Sequence, residues 1–261
     1  AKDWLRNTPV TDTDSDLWEN QLEAVQNVEE GLLDNKQRLL VQMATGTGKT
    51  RMAAALVYRL LKADYSNSVL FLVDRSELGS QAASEFENYE IGQGMRLEEA
   101  YQIEQVENGI YPEDATIVIS TIQSMYSFIE KREDVDIPID AFDFVISDEC
   151  HRSIYNDWKV VLSHFDAVQL GLTATPAEHT LAYFGGEPNW VYQYSYRQAV
   201  EDGHVVPYEA YRIETGITMR GLYYEGEEYD PEDLERKITV PDTNRTIAEE
   251  FRERSEDGQK T

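Results

Sequence analysis

The sequence predicts an α/β fold in three layers, with helices packed on both sides of a mostly parallel central sheet. Short apolar runs alternate with helical patterns along the chain, which is typical of strand–helix–strand units. Each apolar run is followed by a polar or glycine-containing turn, as expected where buried parallel strands end. Functional side chains in such sheets gather beyond the carboxyl ends of the strands, so the residues after each strand are the first candidates.

The predicted strands are short and apolar at consecutive positions, because helices cover both faces of a parallel sheet. They comprise residues 38–43, 68–73, 115–120, 142–147 and 168–172. Apolar residues at helical spacing predict helices between or beside these strands. The helices comprise residues 21–33, 49–62, 77–87, 122–130 and 158–164.

This pattern predicts one domain over residues 17–215, with polar segments on either side. Residues 1–16 are predicted to be a linker from an upstream domain, and residues 216–261 a charged connector with a helix at 246–254. No segment has the roughly 18 consecutive apolar residues of a membrane-spanning helix, and the N-terminus lacks a signal-peptide pattern. We therefore expect a soluble, cytoplasmic protein with no membrane partner. The single cysteine, Cys150, excludes an internal disulfide.

The acidic charge bounds the possible partners. The chain has 50 acidic and 23 basic side chains, a formal net charge of −27 and a pI near 4.4. Nucleic-acid binders are usually basic, so this acidic charge argues against a nucleic-acid partner at ordinary salt concentrations. Either the partner is not a polyanion, or the protein works in concentrated salt. Near 1 M salt the Debye length is about 3 Å, so long-range repulsion is screened. Acidic residues in every segment resemble proteins of salt-loving organisms, and we favour this halophilic interpretation.

A glycine-rich loop between a predicted strand and a predicted helix indicates a phosphate-binding site. Its glycines allow a tight turn whose backbone N–H groups, together with the helix N-terminus, face an anion. Lys49 is expected to contact the β- and γ-phosphates of ATP, and the Thr50 hydroxyl to ligate Mg²⁺. Met43 replaces the first glycine usual in such loops, and the alternative is a chance glycine turn. The candidate nucleotide-binding residues are Thr45, Gly46, Thr47, Gly48, Lys49 and Thr50.

Two carboxylates follow the predicted strand at residues 142–147. Asp148 is expected to hold the Mg²⁺ shell, and Glu149 to polarise the water that attacks the γ-phosphate. Together with Lys49 they are the candidate catalytic residues. An Asp–Glu pair alone carries little information in so acidic a chain, so the assignment depends on the strand before it and the loop upstream. The sequence therefore predicts a site for ATP and Mg²⁺ at one edge of the sheet.

His151 and two threonines are placed to join this site. Thr173 and Thr175 follow the predicted strand 168–172, so their hydroxyls are expected to reach His151 or Glu149. For each threonine the alternative is a helix cap or a turn, because a proline follows Thr175. His151 has no second His or Cys at ligand spacing, so the sequence predicts no zinc site.

Residues 17–176 together resemble the first RecA-like lobe of superfamily 2 helicases and translocases, which has a P-loop NTPase fold. Residues 148–151 are similar to the D-E-x-H form of that superfamily's second motif, and residues 172–176 resemble its third motif. The resemblance implies that His151 and the two threonines couple the nucleotide state to the grip on DNA.

The same resemblance implies ligand contacts outside these motifs. Gln21 matches a Q-x-x-A pattern whose glutamine reads adenine, and the alternative is an ordinary surface helix. Arg75, Thr121 and Gln123 follow predicted strands where the superfamily contacts the DNA backbone. For these three residues the alternatives are a solvated arginine and a Ser/Thr helix cap.

A narrower resemblance is to the restriction (R) subunit of type I restriction-modification enzymes. It rests on residues 43–50, 73–75, 148–155 and 194–203, and the last segment is not general to helicases. The alternative for this last segment is an ordinary helix followed by a glycine turn. In that family, ATP hydrolysis drives translocation of double-stranded DNA before cleavage, and the partners are methylase and specificity subunits.

The resemblance also implies parts that lie outside this sequence, namely a nuclease domain and a second RecA-like lobe. An arginine from the second lobe is typically worth about 10³ to 10⁵ in rate, so this chain alone is expected to hydrolyse ATP weakly or not at all. Two other functions stay open. One is a DNA repair or RNA helicase lobe of the same superfamily, and the other is a nucleotide-binding scaffold module that does not hydrolyse ATP.

Overall fold

A seven-stranded parallel sheet forms the centre of the larger unit, Ala1–Val206. The computed structural model describes residues 1–8, 17–106, 109–132, 135–151, 157–208, 222–224 and 227–229. The strands of this sheet are β1 Arg38–Met43, β2 Val69–Val73, β3 Ile103–Gln105, β4 Ile117–Thr121, β5 Phe144–Ser147, β6 Val168–Thr173 and β7 Trp190–Tyr194. Their order is β3-β4-β2-β5-β6-β1-β7, and every neighbouring pair is parallel. The predicted α/β fold with a parallel central sheet is confirmed.

Helices connect most of these strands. The helices of the described residues are α1 Lys2–Asn7, α2 Glu19–Leu33, α3 Lys49–Lys62, α4 Ser76–Glu87, α5 Leu97–Ala100, α6 Ile122–Glu130, α7 Asp157–His164, α8 Glu178–Phe184 and α9 Tyr196–Glu201. A short 3-10 turn at Glu187–Asn189 precedes β7. Within the described part of the chain, no helix is long and apolar enough to cross a membrane.

The helices cover both faces of the sheet, because consecutive residues of each strand point to opposite sides. In β2, Val69, Phe71 and Val73 belong to one apolar cluster with residues of α2, α3 and α4. Leu70 and Leu72 belong to a second cluster with residues of α6, α7 and α8. All five side chains are buried. Burial on both faces is the reason why the inner strands form uninterrupted apolar runs in the sequence.

The sequence pattern finds the inner strands and misses the two edge strands. The predicted strands correspond to β1, β2, β4, β5 and β6, and the predicted helices to α2, α3, α4, α6 and α7, with ends shifted by one or two residues at most. At the edges, most residues of β3 and β7 are only partly buried, so their apolar signal is weaker. The short helices α1, α5, α8 and α9 are also absent from the prediction.

The first residues of the predicted linker are helical. In α1, Leu5 is buried in the apolar core, and the Trp4 ring lies 5.3 Å from the Arg59 guanidinium. Arg59 is itself fully buried and pairs with Glu29 through Nε and Oε1 at 2.6 Å. The segment up to Thr8 therefore packs on α2 and α3, and residues 9–16 lie outside the described residues.

The chain divides into two compact units, Ala1–Val206 and Pro207–Thr261. In the second unit, Leu222–Tyr224 (β8) and Glu227–Tyr229 (β9) form an antiparallel pair. The helix predicted at residues 246–254 lies outside the described residues. The boundaries drawn from the sequence, at residues 16/17 and 215/216, stay predictions.

Candidate nucleotide-binding site

The three predicted motifs lie at one edge of the sheet, beyond the carboxyl ends of neighbouring strands. In the sheet order, β5, β6 and β1 are adjacent. The glycine loop follows β1, the two carboxylates follow β5, and Thr173 ends β6. Because parallel strands end at the same edge, residues far apart in the sequence meet here.

Two glycines of the loop have backbone conformations that other residues rarely adopt. Gly46 has a φ of +83°, and Gly48, the N-cap of α3, has a φ of +77°. A Cβ atom on Gly48 would in addition collide with the side-chain amide of Gln21. Gly48 is therefore required both by its backbone conformation and by the close approach of Gln21.

Thr47 and Met43 stabilise the loop from inside. Thr47 is fully buried, and its hydroxyl donates a hydrogen bond to the Ala44 carbonyl at 2.6 Å. Met43 ends β1 with its side chain in the apolar core, and its carbonyl accepts a long hydrogen bond from Lys49 Nζ at 3.5 Å. The absence of the usual first glycine is accommodated, because the Met43 side chain fills the core under the loop.

Lys49 and Glu149 contact each other across the site. Lys49 Nζ lies 3.4 Å from Glu149 Oε1, and these side chains are 8% and 25% exposed. Glu149 has a φ of +47°, in the left-handed region that non-glycine residues rarely adopt. The next residue holds this turn in place, because the Cys150 N–H donates to the Leu172 carbonyl on β6 at 3.0 Å. The strained turn thus presents the Glu149 carboxylate to the phosphate loop.

Asp148 is held below the site by hydrogen bonds to its neighbours. Its N–H donates to the Leu72 carbonyl on β2 at 2.9 Å, and its Oδ1 accepts from the Glu149 N–H at 2.9 Å. Burial raises the pKa of the Asp148 carboxyl to about 6. The positive charge of Lys49 opposes this rise, and the negative charge of Glu149 adds to it. A carboxylate so buried is a strong partner for a cation.

Cys150 is fully buried in the second apolar cluster, where its side chain packs as a small apolar group. Burial raises the pKa of this thiol far above its ordinary value, and the nearby Asp148 and Glu149 raise it further. The thiol form is therefore favoured, and Cys150 packs against Gly171, where an added Cβ would lie 2.9 Å from its sulfur.

His151 connects Glu149 to the end of β6. Its Nδ1 lies 3.4 Å from Glu149 Oε2 and 3.0 Å from Thr173 Oγ1. The Thr173 hydroxyl also accepts a hydrogen bond from the Thr175 N–H at 3.1 Å. The structure therefore brings together Glu149, His151 and Thr173 as expected, whereas Thr175 joins this network through its backbone.

A cavity of about 530 Å³ lies beside the phosphate loop. It combines the loop with α2, with the first turn of α3 and with α4. Residues that line it include Trp18, Gln21, Gly46, Gly48, Thr50, Arg51, Glu85 and Asp148. We call it the nucleotide cavity. The two predicted Mg²⁺ ligands, Thr50 and Asp148, therefore share one cavity.

Gln21 is buried against the phosphate loop, so its interpretation as part of a surface helix is wrong. It is 2% exposed. Its Nε2 donates to the carbonyls of Thr47 at 3.0 Å and Gly48 at 3.4 Å, and its Oε1 accepts from the Trp18 N–H at 3.0 Å. The side chain thus joins the start of α2 to the loop.

Three residues at the site were not among the sequence-based candidates. Trp18 lines the nucleotide cavity, is 42% exposed and stacks on the His204 ring. Arg51 forms an ion pair with Glu85 at 3.1 Å on the cavity wall, and it directly follows the Gly-Lys-Thr core of the loop. His179 Nε2 donates to the His151 carbonyl at 2.9 Å. Only the position of Arg51 offers a signal in the sequence.

Arg75 lines a different cavity from the other two candidates for DNA contact. It lines a cavity of about 550 Å³ with Thr45, Glu149, His151 and Thr175. Its Nε is 3.6 Å from Asp74 Oδ2, and its side chain is 68% exposed.

Thr121 and Gln123 line a separate cavity of about 600 Å³ at the ends of β2, β3 and β4. Its lining is rich in hydroxyl and amide groups and includes Ser76, Ser80, Gln105, Thr121, Gln123, Ser124 and Ser127. The Thr121 hydroxyl accepts from the Ser124 N–H at 3.1 Å, so it caps α6. The helix-cap alternative therefore holds for Thr121, within a cavity whose other lining groups are also uncharged.

Residues 14–178 match the family described as "Type III restriction enzyme, res subunit". Over 273 residues, the chain is 32% identical to the endonuclease subunit of the type I restriction enzyme EcoKI from Escherichia coli strain K12, covering 88% of this chain and 23% of that subunit. It is also 32% identical over 215 residues to the EcoAI endonuclease subunit from Escherichia coli, covering 77% and 24%. The chain thus spans about a quarter of the length of these relatives.

Two solved structures share the fold. A fragment described as an HsdR subunit of a type I restriction enzyme from Vibrio vulnificus YJ016 is 29% identical with a TM-score of 0.51, covering 70% of this chain and 31% of that one. The ATP-dependent type ISP restriction-modification enzyme LlaBIII bound to DNA has a TM-score of 0.54 at 21% identity, covering 72% and 16%. At that identity, the second likeness shows the fold alone.

The match covers well over half of the chain, and three of the segments that resemble restriction subunits, at residues 43–50, 73–75 and 148–151, lie at one edge of a RecA-like sheet. The resemblance inferred from these motifs is confirmed. The chain belongs to the family of restriction-enzyme res subunits, and it corresponds to the helicase-like motor part of such a subunit.

Proposed function

We propose that this chain is the ATP-binding lobe of a DNA translocase in a type I restriction subunit, and that ATP hydrolysis moves double-stranded DNA before cleavage. The observation that carries the proposal is the convergence of the phosphate loop, the Lys49–Glu149 pair and Asp148 at one sheet edge. A scaffold that binds a nucleotide without turnover has no chemical need for all three. Their combination therefore favours hydrolysis over binding alone.

The phosphate loop supplies the contacts for the triphosphate of ATP. The N-terminus of α3 and the loop N–H groups favour an anion. Lys49 contacts Glu149 in this structure, and phosphate oxygens offer it a more highly charged partner. When Lys49 moves to the β- and γ-phosphates, the Glu149 carboxylate is free to polarise the attacking water. Phosphate binding thus releases Glu149 from Lys49, so that Glu149 can act as the general base.

The oxygen ligands beside the loop fit Mg²⁺. Thr50 and Asp148 line one cavity, and Mg²⁺ is typically held by one or two protein oxygens together with phosphate oxygens. The buried Asp148 carboxyl has a raised pKa, and a nearby dication favours its ionised form. Bound there, Mg²⁺ neutralises charge on the phosphates.

Coupling between hydrolysis and DNA is assigned to His151, Thr173 and Thr175. His151 contacts both the proposed base, Glu149, and Thr173 at the end of β6. A change of charge at Glu149 would therefore alter the hydrogen bond between the His151 imidazole and Thr173, at the start of the loop after β6. Thr175 lines the same cavity as Arg75, which is a candidate for contact with the DNA backbone.

Adenine recognition is assigned to the end of the nucleotide cavity formed by Gln21 and Trp18. Both amide atoms of Gln21 are bonded to backbone groups here, so reading of adenine by Gln21 requires exchange of these partners. The exposed part of the Trp18 indole offers a flat surface for a base. A bound adenine would therefore change how Gln21 holds the loop.

Contact with the DNA backbone is assigned to Arg75 and to the hydroxyl- and amide-lined cavity that contains Thr121 and Gln123. Phosphate groups accept hydrogen bonds from such side chains and from helix N-termini. The lining of this cavity has no carboxylate among the described residues, although the chain carries a net charge of −27. An uncharged surface of donors allows a phosphate chain to approach.

The remaining parts of the enzyme are proposed from the resemblance to restriction subunits. They are a nuclease domain, a second RecA-like lobe, and the methylase and specificity subunits of a type I complex. The second lobe is expected to supply the arginine that completes the ATP site, so the 261-residue chain alone should bind ATP and turn it over slowly.

The test measures ATP turnover by the full-length subunit, assembled with its methylase and specificity subunits, with and without duplex DNA carrying a recognition site. Lys49→Ala is expected to abolish ATP binding or turnover. Glu149→Gln is expected to retain ATP binding and to lower kcat by at least about 10²-fold, because the general base is lost. The matched control is Glu30→Gln, at an exposed position on α2.

Equal turnover by Glu149→Gln and the unmodified protein would remove Glu149 from the role of base. ATP turnover that RNA stimulates and duplex DNA does not would favour an RNA helicase. ATP binding without turnover in the assembled complex would favour the scaffold alternative.

A further inference from the structure

A second cavity adjoins the nucleotide cavity at the N-terminus of α2. It has a volume of about 510 Å³ and is lined by the first turn of α2, the end of β7 and residues from α9 to His204. We call it the α2–β7 cavity. Tyr194, Gln198 and Asp202 of its lining belong to residues 194–203, a segment of the predicted resemblance to restriction subunits that the ATP site does not use.

Asn20 is the feature of this cavity that calls for a ligand. Its side chain is 4% exposed, and neither Nδ2 nor Oδ1 has a hydrogen-bond partner in the part of the chain that the structure describes. Buried polar groups are nearly always paired, because an unpaired amide loses its bonds to water without replacement. A molecule in the cavity that both donates and accepts hydrogen bonds would satisfy this amide.

The remaining lining determines the charge of that molecule. Glu19, Glu23 and Asp202 place three carboxylates at the exposed rim, and no Lys or Arg of the described chain lines the cavity. Tyr192 donates its hydroxyl hydrogen bond to Glu23 at 3.0 Å, and Tyr194 donates to Asp202 at 2.7 Å.

These two tyrosine hydroxyls therefore fix the carboxylates without neutralising them. Burial raises the pKa of Tyr192, and the hydrogen bond to Glu23 raises it further, so the phenol stays protonated as a donor. His204 Nδ1 already contacts the Tyr194 hydroxyl at 3.0 Å. The cavity thus offers mainly acceptors and negative charge, which excludes a phosphate and favours a cation with several N–H groups.

An arginine side chain fits these requirements better than a metal ion does. Within the described residues, no group of three or more His, Cys, Asp or Glu is arranged to hold a metal. Guanidinium carries five N–H donors in a fixed plane and pairs with carboxylates through two parallel bonds. The peptide unit beside such an arginine carries both an N–H and a carbonyl, which are the two groups that the Asn20 amide lacks.

We propose that the α2–β7 cavity binds an arginine side chain presented by a partner polypeptide. Asp202 and Glu23 pair with the guanidinium, and Asn20 pairs with the main chain of the same segment. The site adjoins the nucleotide cavity, because Trp18 lines that cavity and stacks on His204 of this one, with ring centroids 4.3 Å apart and planes 14° apart.

The test uses isothermal titration of the full 261-residue chain, at low salt, with a blocked Gly-Arg-Gly peptide. The same peptide with citrulline in place of arginine is the comparison, because citrulline keeps the shape and lacks the charge. We expect saturable binding of the arginine peptide and binding of the citrulline peptide at least about tenfold weaker.

Asp202→Asn and Asn20→Leu are each expected to weaken binding of the arginine peptide. Asp202→Asn keeps an acceptor for Tyr194 and removes only the charge, so it carries the test if Asn20→Leu fails to fold. The control is Glu30→Gln, which removes one exposed acid on the same helix outside the cavity. We expect Glu30→Gln to bind the arginine peptide as the unmodified chain does.

Four results would overturn the proposal. Equal binding of the citrulline peptide would exclude charge recognition. Weakening by Glu30→Gln as large as that by Asp202→Asn would show attraction to the acidic surface as a whole. Displacement of the peptide by a non-hydrolysable ATP analogue would assign the cavity to the nucleotide. Binding of free argininamide as tight as that of the peptide would exclude a polypeptide source.

Discussion

Asn20 and Gln21 are neighbours on the first turn of α2, and they face two different cavities. Both are buried, at 4% and 2% exposure. Gln21 has partners for both amide atoms, whereas Asn20 has none among the described residues. A buried amide with its partners is a structural contact, and here it fixes the phosphate loop. The unpaired amide of Asn20 is the place where we propose that a ligand completes the structure.

The two cavities differ in the same way. Beside the nucleotide cavity, Lys49 pairs with Glu149, and the Asp148 carboxylate, which lines the cavity, accepts from the Glu149 N–H. A nucleotide must therefore exchange partners that already exist. In the α2–β7 cavity, the carboxylates of Glu23 and Asp202 contact only tyrosine hydroxyls in the described part, so a cation adds partners without displacing any.

The largest effect is expected from Gly48→Ala in the nucleotide cavity. An alanine at a φ of +77° costs about 1–2 kcal/mol, and its Cβ collides with the Gln21 amide. We expect ATP affinity to fall by at least about 100-fold, or about 2.8 kcal/mol, in nucleotide titration. The control is Gly92→Ala, with a φ of +98° and no atom within 4 Å of its Cβ, which should leave ATP affinity unchanged. Unchanged affinity in Gly48→Ala would mean that Gln21 is free to move.

The next effect concerns the buried carboxylate. The folded-state pKa of Asp148 is about 6, against an ordinary value of 3.8, so the folded state holds a proton that the unfolded chain releases. Stability should therefore fall as pH rises from about 4 to about 6, and at pH 7 the ionised carboxylate should cost on the order of 3 kcal/mol.

Asp148→Asn removes this cost and keeps the oxygen that accepts from the Glu149 N–H. Without nucleotide, Asp148→Asn should unfold at a higher denaturant concentration at pH 7.5, and the gain should shrink towards pH 4. Adding Mg²⁺ and ATP should stabilise the unmodified chain and leave Asp148→Asn little changed. Asp136→Asn, at an exposed position, is the control. An equal gain at pH 4 and pH 7.5 would exclude titration of Asp148 as the cause.

A paired substitution tests the contrast between the two amides directly. Gln21→Leu leaves the Trp18 N–H without its acceptor and should lower the free energy of unfolding by about 1–3 kcal/mol. Asn20→Leu removes an amide that has no described partner, so stability should stay the same or rise by up to about 1 kcal/mol. Both values come from urea unfolding. A larger loss for Asn20→Leu than for Gln21→Leu would reverse the assignment of the two side chains.

The smallest effect per residue is expected at the exposed acidic surface, where single charge pairs contribute less than about 1 kcal/mol. The preference for concentrated salt stays a prediction. Raising KCl from about 0.05 M to about 1 M should screen repulsion within a chain of net charge −27 and raise its Tm. A Tm that does not rise would leave the acidic composition without this explanation.

The inner strands, the long helices and the meeting of the candidate ATP-site residues at one sheet edge could be predicted from the sequence because their signals are local. Burial of β2 on both faces requires an apolar run, and a phosphate loop requires Gly48 and Lys49 between a strand and a helix. The edge strands β3 and β7 could not be predicted, because a strand with one free side needs less apolar surface. The position of Trp18 in the nucleotide cavity and the contact of His179 with His151 could not be predicted either, because neither corresponds to a local pattern in the sequence.

The sequence by itself determined the fold class, the order of the motifs and the residue types proposed to bind phosphate and Mg²⁺, since each follows from a few consecutive residues. Only the tertiary structure decided which buried polar groups find partners. Asn20 and Gln21 have the same functional group, one residue apart in the chain. Their difference depends on what the phosphate loop and the end of β7 place beside each of them, at separations of 26 residues and more. Hydrogen bonding of a buried group depends on distances across the fold, and these distances are set by packing.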